Sequence, residues 1–164
     1  MKIIYVAMLV GIFSACSNKQ NIDAVKDNTE KTTHRIPYQL AKNYFVKKNF
    51  NPNILTKSYI DNQKDFDEIF GVARTMSKEG EATKIDFKDE IAIPIILEET
   101  NIGSTISIDT VNIIGNKVKI VYTVTEVQPI SYIIQPNEII IINKKEIINL
   151  DQLDLTFEKT TKVL

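Results

Sequence analysis

Tryptophan is absent from this chain of 164 residues, and cysteine and histidine occur once each, as Cys16 and His34. One cysteine excludes an intrachain disulfide, and one cysteine with one histidine excludes the Cys/His ligand sets of structural zinc sites. Five glycines and five prolines are too few for a collagen-like or linker-dominated chain. Neither sign of charge prevails, with 20 basic residues against 21 acidic ones. No basic stripe interleaved with aromatics offers a footprint for a phosphate backbone, so nucleic acid is not expected as a partner. No apolar run reaches the roughly 20 residues of a membrane-spanning helix.

Catalytic signatures are missing too: G-x-S-x-G, H-E-x-x-H, the phosphate-binding loop and G-x-G-x-x-G do not occur. His34 reads as a solvated side chain. Asp86, Asp89 and Glu90, with Glu98 and Glu99, read as solvated strand ends rather than a carboxylate pair across a cleft. The sequence therefore assigns no catalytic residue, no metal ligand and no cofactor, and the expectation is a protein that is not an enzyme.

What the chain does have is isoleucine, in "EIAIPIIL", "VNIIG" and "NEIIIINKKEIIN". β-branched residues suit pleated, half-buried surfaces, so a sheet-rich fold is expected. At the start, Lys2 precedes an uncharged apolar run, residues 3–13, within the roughly 7–15 residues of a signal-peptide core. Ser14, Ala15 and Cys16 follow. This resembles a bacterial lipoprotein signal, with Phe13 where leucine is usual, and the chain resembles small Bacteroidetes lipoproteins in its Ile/Lys/Asn bias. The resemblance implies cleavage before Cys16 and lipidation of that residue. The location implied is the bacterial cell envelope, on the outer membrane, since no aspartate follows Cys16. Which face carries the anchor is left open.

Three segments are expected: a signal peptide over residues 1–15, the lipidated cysteine and a flexible tether over 16–34, and one α+β domain over 35–164. The tether, "SNKQNIDAVKDNTEKTTH", holds too little apolar surface to offset its ordering entropy. In the domain, "DNQKDFDEIFG" reads as the main helix, capped by Asp61 or Asn62, with Phe66, Ile69 and Phe70 on one face and Gly71 as its stop. "NYFVKKNF" and "DEIAIPIIL" read as strands, the second placed at an edge or bulge by Pro94. "TISIDTVNII", a Gly115-Asn116 turn and "KVKIVYTVTEV" read as a hairpin whose phase slips near Thr110. "EIIIINK" and "LDQLDLTFEK" supply two last strands. The expected sheet is mainly antiparallel, with about five to seven strands.

Two segments read as loops. In "EETNIGST", residues 98–105, Gly103 permits a sharp turn. In "EVQPISYIIQPNE", residues 126–138, Pro129 and Pro136 bracket Ile130, Tyr132 and Ile133. Exposed, this segment is a pre-stiffened apolar element suited to a partner's cleft. Buried, it is an irregular strand covering the sheet, and this second reading is the favoured one. Gly103, Pro129, Ile130, Tyr132 and Ile133 are the candidate partner-binding residues.

"FDEIFG" in the helix, Asp86-Phe87 opening a strand, the hairpin, and the late run around Ser131, Tyr132 and Pro136 resemble the C-terminal domain of the protease complex subunit PrcB. That family usually has Gly-Gly-aromatic before its middle strand, where this chain has "NIGSTI". The resemblance implies a non-enzymatic, membrane-anchored module that binds, stabilises or inhibits a protein, specifically a protease. Two other roles stay open: a passive component of an envelope assembly, and a small-ligand or glycan binder, which the lack of tryptophan disfavours.

Overall fold

The computed structural model describes residues 33–48, 57–73 and 80–164, and its core is built on two strands whose middles are apolar without a break. These are Glu90–Ile96 and Asn137–Asn143, paired antiparallel from Glu90 opposite Asn143 to Ile96 opposite Asn137. Unbroken isoleucine is what a strand buried on both faces requires. One face (Ile91, Ile93, Ile95, Ile140 and Ile142) packs on Val111, Ile113, Val118, Ile120 and Val124 of a second sheet. The other face (Ala92, Ile139 and Ile141) packs on Phe66, Ile69, Phe70 and Val46. The result is three layers with the isoleucine sheet in the middle.

In chain order the strands are β1 (His34–Arg35), β2 (Gln39–Leu40), β3 (Tyr44–Val46), β4 (Phe70–Val72), β5 (Glu90–Ile96), β6 (Thr100–Ile114), β7 (Lys117–Ile134), β8 (Asn137–Asn143) and β9 (Asp154–Val163). Helix α1 (Gln63–Ile69) lies between β3 and β4. The outer sheet has the order β1-β6-β7-β9, the central sheet β2-β8-β5, and β3-β4 stands beside the helix. The expected α+β class, with a largely antiparallel sheet and one main helix, is what the chain adopts. Nine strands occur among the described residues, against the five to seven expected; β3 lies within the expected strand "NYFVKKNF", and the extra ones, β1, β2 and β4, have only two or three residues each and carry no readable periodicity. The β7–β9 pair is parallel, unlike the other strand pairs.

Several local expectations match. Asn62 caps α1, its side chain accepting from the Asp65 amide at 2.9 Å. Pro94 lies on β5, the edge strand of the central sheet, where a missing amide costs no ladder bond. β6 and β7 form the hairpin, Gly115 takes φ 62° in the two-residue turn, and the register shifts between Ile108 and Thr110. That bulge moves the inward side chains from Ile106 and Ile108 to Val111 and Ile113.

Others are corrected. Gly71 does not stop the helix. Phe70 already has extended backbone, and Gly71 lies within β4, where a Cβ would stand 2.4 Å from Cζ of Phe45 on the paired strand. His34, expected at the end of the tether, is exposed but pairs with Ile113 as the first residue of β1. Residues 98–105 and 126–138 are not loops, because β6 begins at Thr100 and β7 runs unbroken to Ile134. The expected signal peptide, Cys16 and the tether before residue 33 lie outside the described residues. Among the described residues no helix is long and apolar enough to cross a membrane.

Candidate interaction surface

Strands β5 and β8 have seven residues each, whereas β6 has 15 and β7 has 18. At roughly 3.3 Å per residue the central sheet can cover only about half of the β6–β7 ribbon. The half next to the Gly115-Asn116 turn is covered. There Val118, Ile120, Tyr122 and Val124 are buried, and β9 pairs along β7 from Lys117 to Glu126. Past Glu126 that cover ends, and no strand adjoins the outer edge of β7 among the described residues.

The uncovered half is also irregular. From Thr100 opposite Ile134 to Ile102 opposite Pro129, β6 advances two residues while β7 gives up five. From Ile102 to Ser104 the count is two against three, Ser104 facing Glu126. The ribbon turns here from the central to the outer sheet, the Leu97 amide donating to the Pro136 carbonyl at 2.9 Å. A strand on the outside of a bend follows the longer path, and β7 takes up the extra length as bulges. Residues 130–133 therefore stand opposite Asn101 alone.

Tyr132 and Ile133 are each 63% exposed, Pro129 is exposed and Ile130 half-buried. This overturns the favoured expectation that these groups cover the sheet; the sheet that would receive them is too short. Gly103 joins the same cluster for a reason other than a turn. Its φ is not positive, and a Cβ there would stand 2.7 Å from Cγ2 of Val127 and 3.6 Å from Cγ2 of Ile130. The glycine lets the bulged strand close down on β6. All five sequence candidates thus come together at one end of the ribbon. Val127, half-exposed and seated on Gly103, was not foreseen, because "EVQP" continues the alternation of the covered half without a visible break.

Beside this end a cleft of about 490 Å³ opens between the sheets, lined by Glu98, Glu99, Glu126, Tyr122, Lys159 and Pro136 among others. Glu138 of β8 stands opposite Ile95, sharing by alternation the face of Ile140 and Ile142. Burial raises its carboxyl pKa above the ordinary value, against the opposing pull of the Ile139 amide that donates to it at 3.2 Å. Burial likewise raises the Tyr122 hydroxyl. Among the described residues no group of three or more His, Cys, Asp or Glu is placed to hold a metal ion.

Fold and surface together define an α+β domain with an apolar, proline-flanked bulge at one end of a long ribbon. No family model, no curated protein and no solved structure matches the chain.

Proposed function

We propose that this protein is a non-enzymatic, lipid-anchored lipoprotein of the bacterial envelope that binds a protein partner through the bulge of β7, with a protease as the partner class to test first. The observation that carries the reading is the pair Tyr132 and Ile133, large apolar groups held out in solvent between Pro129 and Pro136. Tyrosine joins a large apolar ring to a polar tip, which suits an interface anchor. Prolines on either side reduce the conformational freedom lost on binding. The apolar run before Cys16 supports the anchor, since acyl chains on that residue would hold the domain at a membrane.

The test compares the parent chain with Tyr132→Ser/Ile133→Ser in capture from the organism's envelope and secreted proteins. The parent retains a protease and the double variant loses it, while both melt at the same temperature. Equal capture by both, or enrichment of no protease, contradicts the proposal in its specific form. The anchor is tested separately: Cys16→Ala should release the chain from membranes or leave an unprocessed precursor, and unchanged attachment and mass refute lipidation there.

A further inference from the structure

The outer sheet ends at β9, a strand of ten residues, and among the described residues no strand pairs with its outer edge. Phe157, Val163 and Leu164 are 43%, 77% and 82% exposed along it. The Asp154 amide donates to the Asn116 carbonyl and the Leu164 amide to the Glu126 carbonyl, both at 3.0 Å. Even-numbered residues therefore aim their peptide groups at β7. The peptide groups of Phe157, Lys159, Thr161 and Val163 aim outward, where no strand lies among the described residues. An edge of this kind is a template for another strand.

We infer that the strand it takes is β9 of a second copy, paired antiparallel about a two-fold axis through Thr160. Such an axis stands perpendicular to the sheet, keeps like faces together and makes the interface isologous, so the register must centre on one residue. Centring on Glu158 opposes two glutamates, and centring on Lys159 opposes two lysines; like charges directly opposite are destabilising. Centring on Phe157 leaves residues 161–164 overhanging. Centring on Thr161 sets Lys159 against Val163 and Glu158 against Leu164.

Thr160 alone gives a complementary set. Glu158 meets Lys162 of the second copy, Phe157 meets its Val163, Lys159 its Thr161 and Thr156 its Leu164, and each pair occurs twice. Opposite charges and aromatic–β-branched pairs are the stabilising cross-strand combinations. The backbone agrees: Phe157 with Val163 and Lys159 with Thr161 are hydrogen-bonded pairs using the outward groups, and Thr160 faces Thr160 as a non-hydrogen-bonded pair. Glu158 already receives Lys119 of its own chain at 2.7 Å, so in the dimer its carboxylate lies between two cations. Phe157 also borders a cleft of about 280 Å³ formed with Pro94, Ile96 and Tyr122, and Val163 of the second copy covers its open side.

The experiment is light scattering on the full chain in mild detergent, joined to oxidative cross-linking. The parent chain should have twice the chain mass. Thr161→Pro should be monomeric with an unchanged circular dichroism spectrum, because it removes an outward amide that β7 does not use. Lys162→Glu should also be monomeric, and Glu158→Lys/Lys162→Glu should recover the dimer by exchanging the charges. Cα atoms of a non-hydrogen-bonded pair lie about 4.5 Å apart, within disulfide reach. Thr160→Cys should thus cross-link above the background that Cys16 sets in the parent, and Thr161→Cys should not. A monomeric parent, a dimer that survives Thr161→Pro or Lys162→Glu, or equal cross-linking at 160 and 161 overturns the inference.

Discussion

The two halves of the β6–β7 ribbon are made of the same residue types and meet opposite fates. Near the turn, Val118, Ile120 and Val124 are buried; beyond Glu126, Val127, Tyr132 and Ile133 stand in solvent. Composition does not distinguish them. What does is the seven-residue reach of the central sheet, whose last core-facing pair is Ile95 opposite the carboxylate of Glu138. Where isoleucine beneath the ribbon gives way to glutamate, packing gives way to an exposed, bulged strand. Apolar residues in a strand signal core only if a second layer is long enough to meet them.

The largest expected contrast comes from truncating one isoleucine in each half. Ile120→Ala opens a cavity in a fully buried site and should cost roughly 2–5 kcal/mol in chemical denaturation. Ile133→Ala removes a solvated group and should change stability by about 0.5 kcal/mol or less. Similar losses at both positions would erase the distinction between the halves.

A smaller effect sharpens the boundary. Gly103→Ala forces the half-exposed Val127 side chain aside and should destabilise by about 1 kcal/mol, the low end for overpacking. Val127→Ala in the same chain should restore most of that loss, because the methyl in the way is gone. Gly115→Ala, at the covered end, should cost about 1 kcal/mol through its positive φ and find no rescue from Val127→Ala.

The smallest effect lies at the junction and depends on pH. Because the folded Glu138 pKa is raised, the folded state binds more protons than the unfolded state between the two values. The stability this gives is fully present below the unfolded pKa and is lost as pH rises through the folded one. Glu138→Gln should therefore melt above the parent near neutral pH, and the gap should close as pH falls to the ordinary glutamate range. A gap of constant size across that range would show that burial of charge is not its cause.

Much of the covered half was legible in the sequence. The parity change between Ile108 and Val111 announced the bulge and Gly115-Asn116 the turn; outside the ribbon, Asn62 with Phe66 and Ile69 announced the helix. Each of these signals is local. The uncovered half was not legible, because Tyr132 is exposed through the length of strands distant in sequence, and the sequence favoured burial for it. Gly71 and Gly103 misled in the same way. Gly71 reads as a helix stop and Gly103 as a turn, yet each is small because a side chain from the neighbouring strand, Phe45 or Val127, lies against it. The parallel pairing of β9 was likewise invisible, since alternation shows which face is apolar and nothing of strand direction.

The most direct test of the binding role places a photo-activated cross-linking residue at position 132 in living cells, and in a second strain at position 119 on the covered half of the same strand. Position 132 should give an adduct with one protein other than this chain, which excess parent chain competes away, whereas position 119, beside Glu158, should give none except with a second copy of the chain. Absence of such an adduct at 132, or the same foreign adduct from both positions, would contradict a partner-binding role for the bulge.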